Sequence, residues 1–156
     1  MSYLDNIKVE LVDTEAMNIL YVRKTMTKED FFDGYGSYFG KLYERIALER
    51  LTPVGKPMTI YHNSEFNLDG NDLEFAIPIK ETVDGTRILP GGLCAKSVLK
   101  GSFTELSALY IKLSEWVEEN GYELTKSPYE VYIVNPNQVE SSDELVTEVF
   151  FSIKKK

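Results

Sequence analysis

An α+β fold built from two similar halves is what this sequence predicts, and three observations carry the prediction. Two amphipathic helical stretches, about 28–51 and 103–120, are each flanked by runs of β-branched and aromatic residues. Pro57-Met58-Thr59-Ile60-Tyr61 aligns with Pro128-Tyr129-Glu130-Val131-Tyr132, with Pro and Tyr identical at the ends. In the second half of that alignment, Glu74 followed by Pro78-Ile79 matches Glu148 followed by Ser152-Ile153. Each half therefore reads strand, helix, strand, strand. Two tandem βαββ repeats, about 5–82 and about 88–154 of one domain spanning 1–156, would lay two long helices over an antiparallel sheet with pseudo-twofold symmetry. Such an axis leaves a central cleft, and clefts between modules are favoured ligand sites.

Taken in order, Ile7 to about Thr27 is one long strand, or two joined at Asp13-Thr14-Glu15. Thr27 precedes Lys28-Glu29-Asp30, a hydroxyl three residues before a carboxylate, which predicts a helix N-terminus. Phe31, Tyr35, Tyr38, Phe39, Leu42, Tyr43 and Ile46 then form the buried face of a helix running to about Leu51. Gly34, Gly36 and Gly40 within it each cost about 1 kcal/mol against Ala, and they predict close packing or a mobile helix start. Met58 to His62 is a strand, as is Leu73 to Lys80, where Pro78 predicts an edge position or a strand end. Asp84-Gly85 marks a turn, and Leu89-Pro90-Gly91-Gly92 leads into a strand over about 93–100. Ser102-Phe103-Thr104-Glu105 reads as a full capping box opening the second helix, which Gly121 closes. Strands over 129–134 and 145–153 complete the chain, with Asn135-Pro136-Asn137 in the loop between them.

Composition narrows the function. A chain of 156 residues can bury a real core without disulfides or metal, and its apolar fraction of 43% is ordinary for globular proteins. The N-terminus lacks the pattern of a signal peptide and no apolar run suits a membrane span, so a cytoplasmic location is expected. One cysteine, Cys94, rules out an internal disulfide; with one histidine, His62, only carboxylates remain for metal binding, in no recognisable metal spacing. Neither a metal nor another cofactor is expected. The net charge of -8 argues against direct nucleic-acid binding, which needs clustered Lys and Arg; Lys154-Lys155-Lys156 reads as a solvated tail. An acidic surface favours cationic ligands at long range and also serves solubility.

Glu130 stands out because it lies in mid-strand among apolar neighbours and aligns with Thr59 in the other half. A buried carboxylate needs a partner, so Glu130 is either half of a structural ion pair or the anchor of a binding site.

Several fragments of the second half, in order, carry a family likeness: Leu89-Pro90-Gly91-Gly92-Leu93-Cys94-Ala95, Lys100-Gly101-Ser102-Phe103, Leu113-Ser114-Glu115-Trp116, Asn120-Gly121-Tyr122, Pro128-Tyr129-Glu130-Val131-Tyr132 and Thr147-Glu148-Val149. Together they resemble the GyrI-like small-molecule-binding domain, which is also the effector-binding module of AraC- and MerR-type bacterial regulators. The resemblance implies an eight-stranded α+β domain binding amphipathic, often cationic compounds in its cleft. The family's buried glutamate maps onto Glu130. Aromatic partners would come from Tyr132, Tyr110, Trp116, Tyr35, Tyr61 and Phe150, with Glu148 as a further candidate, although core packing is the preferred reading of any single one of the aromatics. The domain fills the sequence and leaves no room for a helix-turn-helix, so a stand-alone module is expected.

Three functions fit these readings. The first is capture of small hydrophobic or cationic molecules, with charge complementarity from Glu130 and cation–π attraction from the aromatics. The second is a protein-interaction module, partnering gyrase or a transcription regulator. The third, ranked last, is a small-molecule hydrolase using Glu130 and a tyrosine as acid and base. Nothing in the chain supplies a nucleophile triad or phosphate loop.

Overall fold

The β-rich run at the N-terminus breaks at residues 15–16 into β1 (Glu10–Thr14) and β2 (Met17–Met26). The computed structural model describes residues 7–27, 31–62, 70–134 and 140–156, with residues 31–35 and Ser142 described by their backbone alone. The expected helix cap at 27–30 and the loops at 63–64 and 135–137 lie wholly or partly outside these residues. β1 and β2 belong to different units: the chain divides into one unit of Glu15–Gly91 and another made of Gly92–Lys156 with Thr14 and the residues before it.

In the Glu15–Gly91 unit the strand order is β3 (Met58–Tyr61), β4 (Asn71–Pro78), β2, β5 (Thr86–Leu89), all antiparallel neighbours. One face packs under α1 (Phe31–Glu49), where Leu20, Leu42, Ile46, Leu73, Phe75 and Ile77 form the core. Tyr38 stacks on Phe75 and Phe39 meets it edge-on, each with centroids 5.4 Å apart. Because strand side chains alternate, Asp72 and Glu74 point to the face away from α1.

The other unit has the order β1, β6 (Gly92–Lys100), β9 (Val146–Lys155), β8 (Tyr129–Val134), and β7 (Tyr122–Leu124) pairs with the end of β9. Its core lies under α2 (Leu106–Glu119) and joins Leu109, Leu113 and Val117 to Ala95, Leu99, Val149, Phe151 and Ile153. Full burial of each such aliphatic or aromatic side chain stabilises by about 1.5–3 kcal/mol.

The two halves match as the alignment predicts. β2-α1-β3-β4 and β6-α2-β8-β9 follow the same plan, and within each unit the strands take the same order, β2-β4-β3 and β6-β9-β8. The fourth strand of each unit's order comes from outside that run: β5 borders β2, and β1 borders β6. The described residues hold nine strands where eight were expected, the addition being the three-residue β7. Neither β7 nor the four-residue β5 was read from the sequence, because both are too short to show alternation beside Gly121 and the Pro90-Gly91-Gly92 turn.

Two local expectations change. A Cβ added at Gly36 or Gly40 would meet nothing within 4 Å, so these glycines are not there for close packing. Ser102 caps a 3-10 turn, Phe103–Glu105, by accepting from the Thr104 N–H at 3.3 Å, so the full capping box is replaced by a tighter single-sided cap. Pro78 takes the second of its two expected positions, a strand end: it is the last residue of β4, beyond the end of the pairing with β3, so an interior strand tolerates it. Gly121 closes α2 as expected: its φ of +80° is a left-handed conformation, and its N–H reaches the Glu118 carbonyl at 3.2 Å. Among the described residues no helix is long and apolar enough to cross a membrane, and no group of three or more His, Cys, Asp or Glu side chains is arranged to hold a metal.

Candidate functional site

In β8, Glu130 lies opposite Val149 and Tyr132 opposite Thr147 of β9. Val149 and Phe151 belong to the core under α2, so alternation turns Glu130 and Tyr132 toward that helix and Tyr129 and Val131 away from it. Glu130 is 1% exposed. Taking a carboxylate out of water costs several kcal/mol unless its oxygens are engaged. The Tyr132 hydroxyl donates to Oε1 at 2.6 Å, and the Tyr110 hydroxyl, from α2, donates to Oε2 at 2.9 Å. Hydrogen bonds from neutral hydroxyls to a carboxylate are short and strong, and they satisfy its lone pairs without themselves cancelling its charge.

Aromatic rings surround this group. Phe103 meets Tyr132 edge-on at 5.8 Å between centroids, and Tyr110 lies tilted against Phe151 at 5.4 Å. Phe103 is 36% exposed, so the aromatic cluster runs from the buried carboxylate to the surface at the start of α2.

The other unit treats its buried carboxylate differently. Glu74, also 1% exposed, is gripped by the Arg87 guanidinium, with Nε on Oε2 at 2.6 Å and Nη2 on Oε1 at 2.7 Å. His62 Nε2 lies 2.8 Å from Oε1. Burial works against the charged form of Glu74, but the Arg87 and His62 hydrogen bonds outweigh it and hold the carboxyl below its ordinary range. Arg87 in turn sits over the Tyr21 ring at 5.6 Å. Thr59, which aligns with Glu130, is fully buried opposite Phe75 on the α1 side. The corresponding positions of the two units therefore carry a carboxylate in one and a hydroxyl in the other.

Of the residues singled out from the sequence, Glu130, Tyr132 and Tyr110 come together. Glu148 and Phe150 lie on the opposite face of the sheet: Glu148 pairs with Lys96 at 2.7 Å, and Phe150 stacks on Tyr129 at 4.8 Å under the Lys96 ammonium. Burial there pushes the Tyr129 hydroxyl up to about 12. Trp116 stacks on Tyr122 at 6.1 Å beside the α2 core, and Tyr61 packs against the core under α1. The Tyr35 side chain lies outside the described residues. Phe103, Phe151 and Thr147 flank the Glu130 cluster without having been singled out. For Phe151 the signal was available, since it sits two residues from Val149 on the same face.

Glu130, the two tyrosine hydroxyls that converge on it and the neighbouring rings thus form one buried polar and aromatic cluster beneath α2. The chain belongs to the GyrI-like family, matching the GyrI-like small molecule binding domain over residues 7–154. Its structure is similar to the crystal structure of the EcmrR C-terminal domain, with a TM-score of 0.81 and 26% identity over 96% of this chain and 99% of that one. It is also similar to EcmrR in a cryo-EM structure of its DNA complex, with a TM-score of 0.85 and 24% identity over 96% of this chain, which spans 58% of that one. SAV2435 bound to tetraphenylphosphonium shares the fold at a TM-score of 0.63 and 9% identity, with 94% of each chain covered. No curated protein is similar enough in sequence to count as a relative.

Proposed function

We propose that this protein captures small amphipathic cations, with Glu130 supplying the charge and Tyr110, Tyr132 and Phe103 supplying aromatic surface. The observation that carries the reading is a carboxylate 1% exposed whose two oxygens each accept from a tyrosine hydroxyl. In a site shielded from water a carboxylate attracts a cation far more strongly than in solution, and rings facing the ligand add cation–π attraction. The two hydroxyls orient the carboxylate before a ligand arrives. On binding they yield to, or share it with, the ligand's positive centre. That a protein of the same fold is seen with tetraphenylphosphonium, a cation with four aryl rings, supports the choice of ligand class.

Titration with tetraphenylphosphonium tests the reading. Glu130→Gln keeps the shape and removes the charge, and is expected to weaken binding at least tenfold, the loss of about 1.4 kcal/mol or more. Unchanged affinity in a variant with an unaltered thermal transition would remove Glu130 from the site.

A further inference from the structure

Thr147 is fully buried, and its Oγ1 finds no hydrogen-bond partner among the described residues. A buried hydroxyl left unpaired costs about 1–3 kcal/mol, and a valine of the same shape would avoid the cost. Thr147 also lies in a telling place. It is directly opposite Tyr132 in the β8–β9 pairing and opposite Leu99 of β6, on the sheet face that α2 covers. Glu130 is its diagonal neighbour on that face, at a backbone spacing of roughly 7 Å. The unpaired hydroxyl therefore borders the cluster formed by Glu130, Tyr132 and Tyr110.

We infer that Thr147 is a ligand-binding residue, whose hydroxyl completes a hydrogen bond with a polar substituent on the cation held by Glu130. The inference rests on the reading of Glu130 as the cation's anchor and sharpens it. The preferred ligand is an aromatic cation that also carries a hydroxyl or amino group a short distance from its positive centre, in place of a purely hydrocarbon-clad cation. A threonine hydroxyl both donates and accepts, so it serves either substituent. Selection is then set by the orphan hydroxyl: a ligand without a matching group leaves Thr147 as unsatisfied as it is in the empty protein, and gains nothing from it.

The test compares tetraphenylphosphonium with its 3-hydroxyphenyl and 4-hydroxyphenyl triphenyl analogues on the whole chain and on Thr147→Val. The wild-type chain is expected to bind at least one hydroxylated analogue about three- to tenfold more tightly than the parent, the range of a neutral hydrogen bond. Thr147→Val should erase that preference, bringing the hydroxylated analogues level with the parent cation. Thr147→Ser should restore it. An equal preference in wild type and Thr147→Val, or no preference in wild type for either analogue, overturns the role of Thr147. Parent-cation binding that is absent, or insensitive to Glu130→Gln, overturns the anchor reading instead, so the two failures are told apart. Thr147→Val should also raise the thermal transition, because it removes an unpaired buried hydroxyl; a lowered transition would show that the hydroxyl is already satisfied within the fold.

Discussion

Glu74 and Glu130 are equally buried, and their described partners differ: Arg87 and His62 at Glu74, and the Tyr110 and Tyr132 hydroxyls at Glu130. Glu74 holds β4 to β5 through the Arg87 fork and meets His62 beside β3, so it behaves as a structural ion pair. Its carboxyl is held below the ordinary value of 4.5, so the stability it contributes is present above that pH and is lost as pH falls through the lower folded value. Urea unfolding followed from pH 7 down to pH 3 should show wild-type stability falling below about pH 4.5, with a flatter profile in Glu74→Gln. At pH 7 the same substitution should cost about 2 kcal/mol, since it removes charged hydrogen bonds while Arg87 retains access to water. Equal acid profiles in the two proteins would show that the carboxylate is not held by its partners. Glu130 was legible in the sequence as a carboxylate where a strand should be apolar. Thr147 was not, because threonine is an ordinary strand former and only the absence of a partner marks it.

At the scale of elements, the helices and long strands were readable because each has one buried face and a matching period. Leu42 and Ile46 in α1, and Leu109, Leu113 and Val117 in α2, recur at the expected spacing and are all buried. The glycines of α1 are the exception. Gly36 and Gly40 are exposed, with open space where a Cβ would go, so Gly36→Ala and Gly40→Ala should each raise stability by about 0.4–1 kcal/mol in denaturant unfolding. Destabilisation by either would mean that the helix needs the freedom of glycine there. The opposite sign is expected at Gly121, where φ is +80°: Gly121→Ala should lower stability by about 1 kcal/mol, measured by the same unfolding experiment. β5 and β7 escaped notice for want of length, and their places became visible only through pairing with β2 and β9.

At the scale of the whole molecule, the internal alignment was the most informative feature of the sequence, because Pro57 and Pro128 open corresponding strands and Glu74 and Glu148 fall at corresponding points of the next. What it could not show was the exchange by which β1 borders β6 while β5 borders β2: a strand's own alternation says which face is buried, and nothing about its neighbour. The same alignment placed Thr59 against Glu130, a difference now seen as a buried hydroxyl under α1 and a buried carboxylate under α2. The central proposal is that, of the two fully buried glutamates among the described residues, Glu130 serves a ligand and Glu74 the fold. Calorimetric titration of tetraphenylphosphonium into Glu130→Gln and Glu74→Gln, side by side with wild type, separates them. The account predicts at least a tenfold loss of affinity in Glu130→Gln and none in Glu74→Gln under conditions where both remain folded; retained binding in Glu130→Gln, or an equal loss in the two variants, would contradict it.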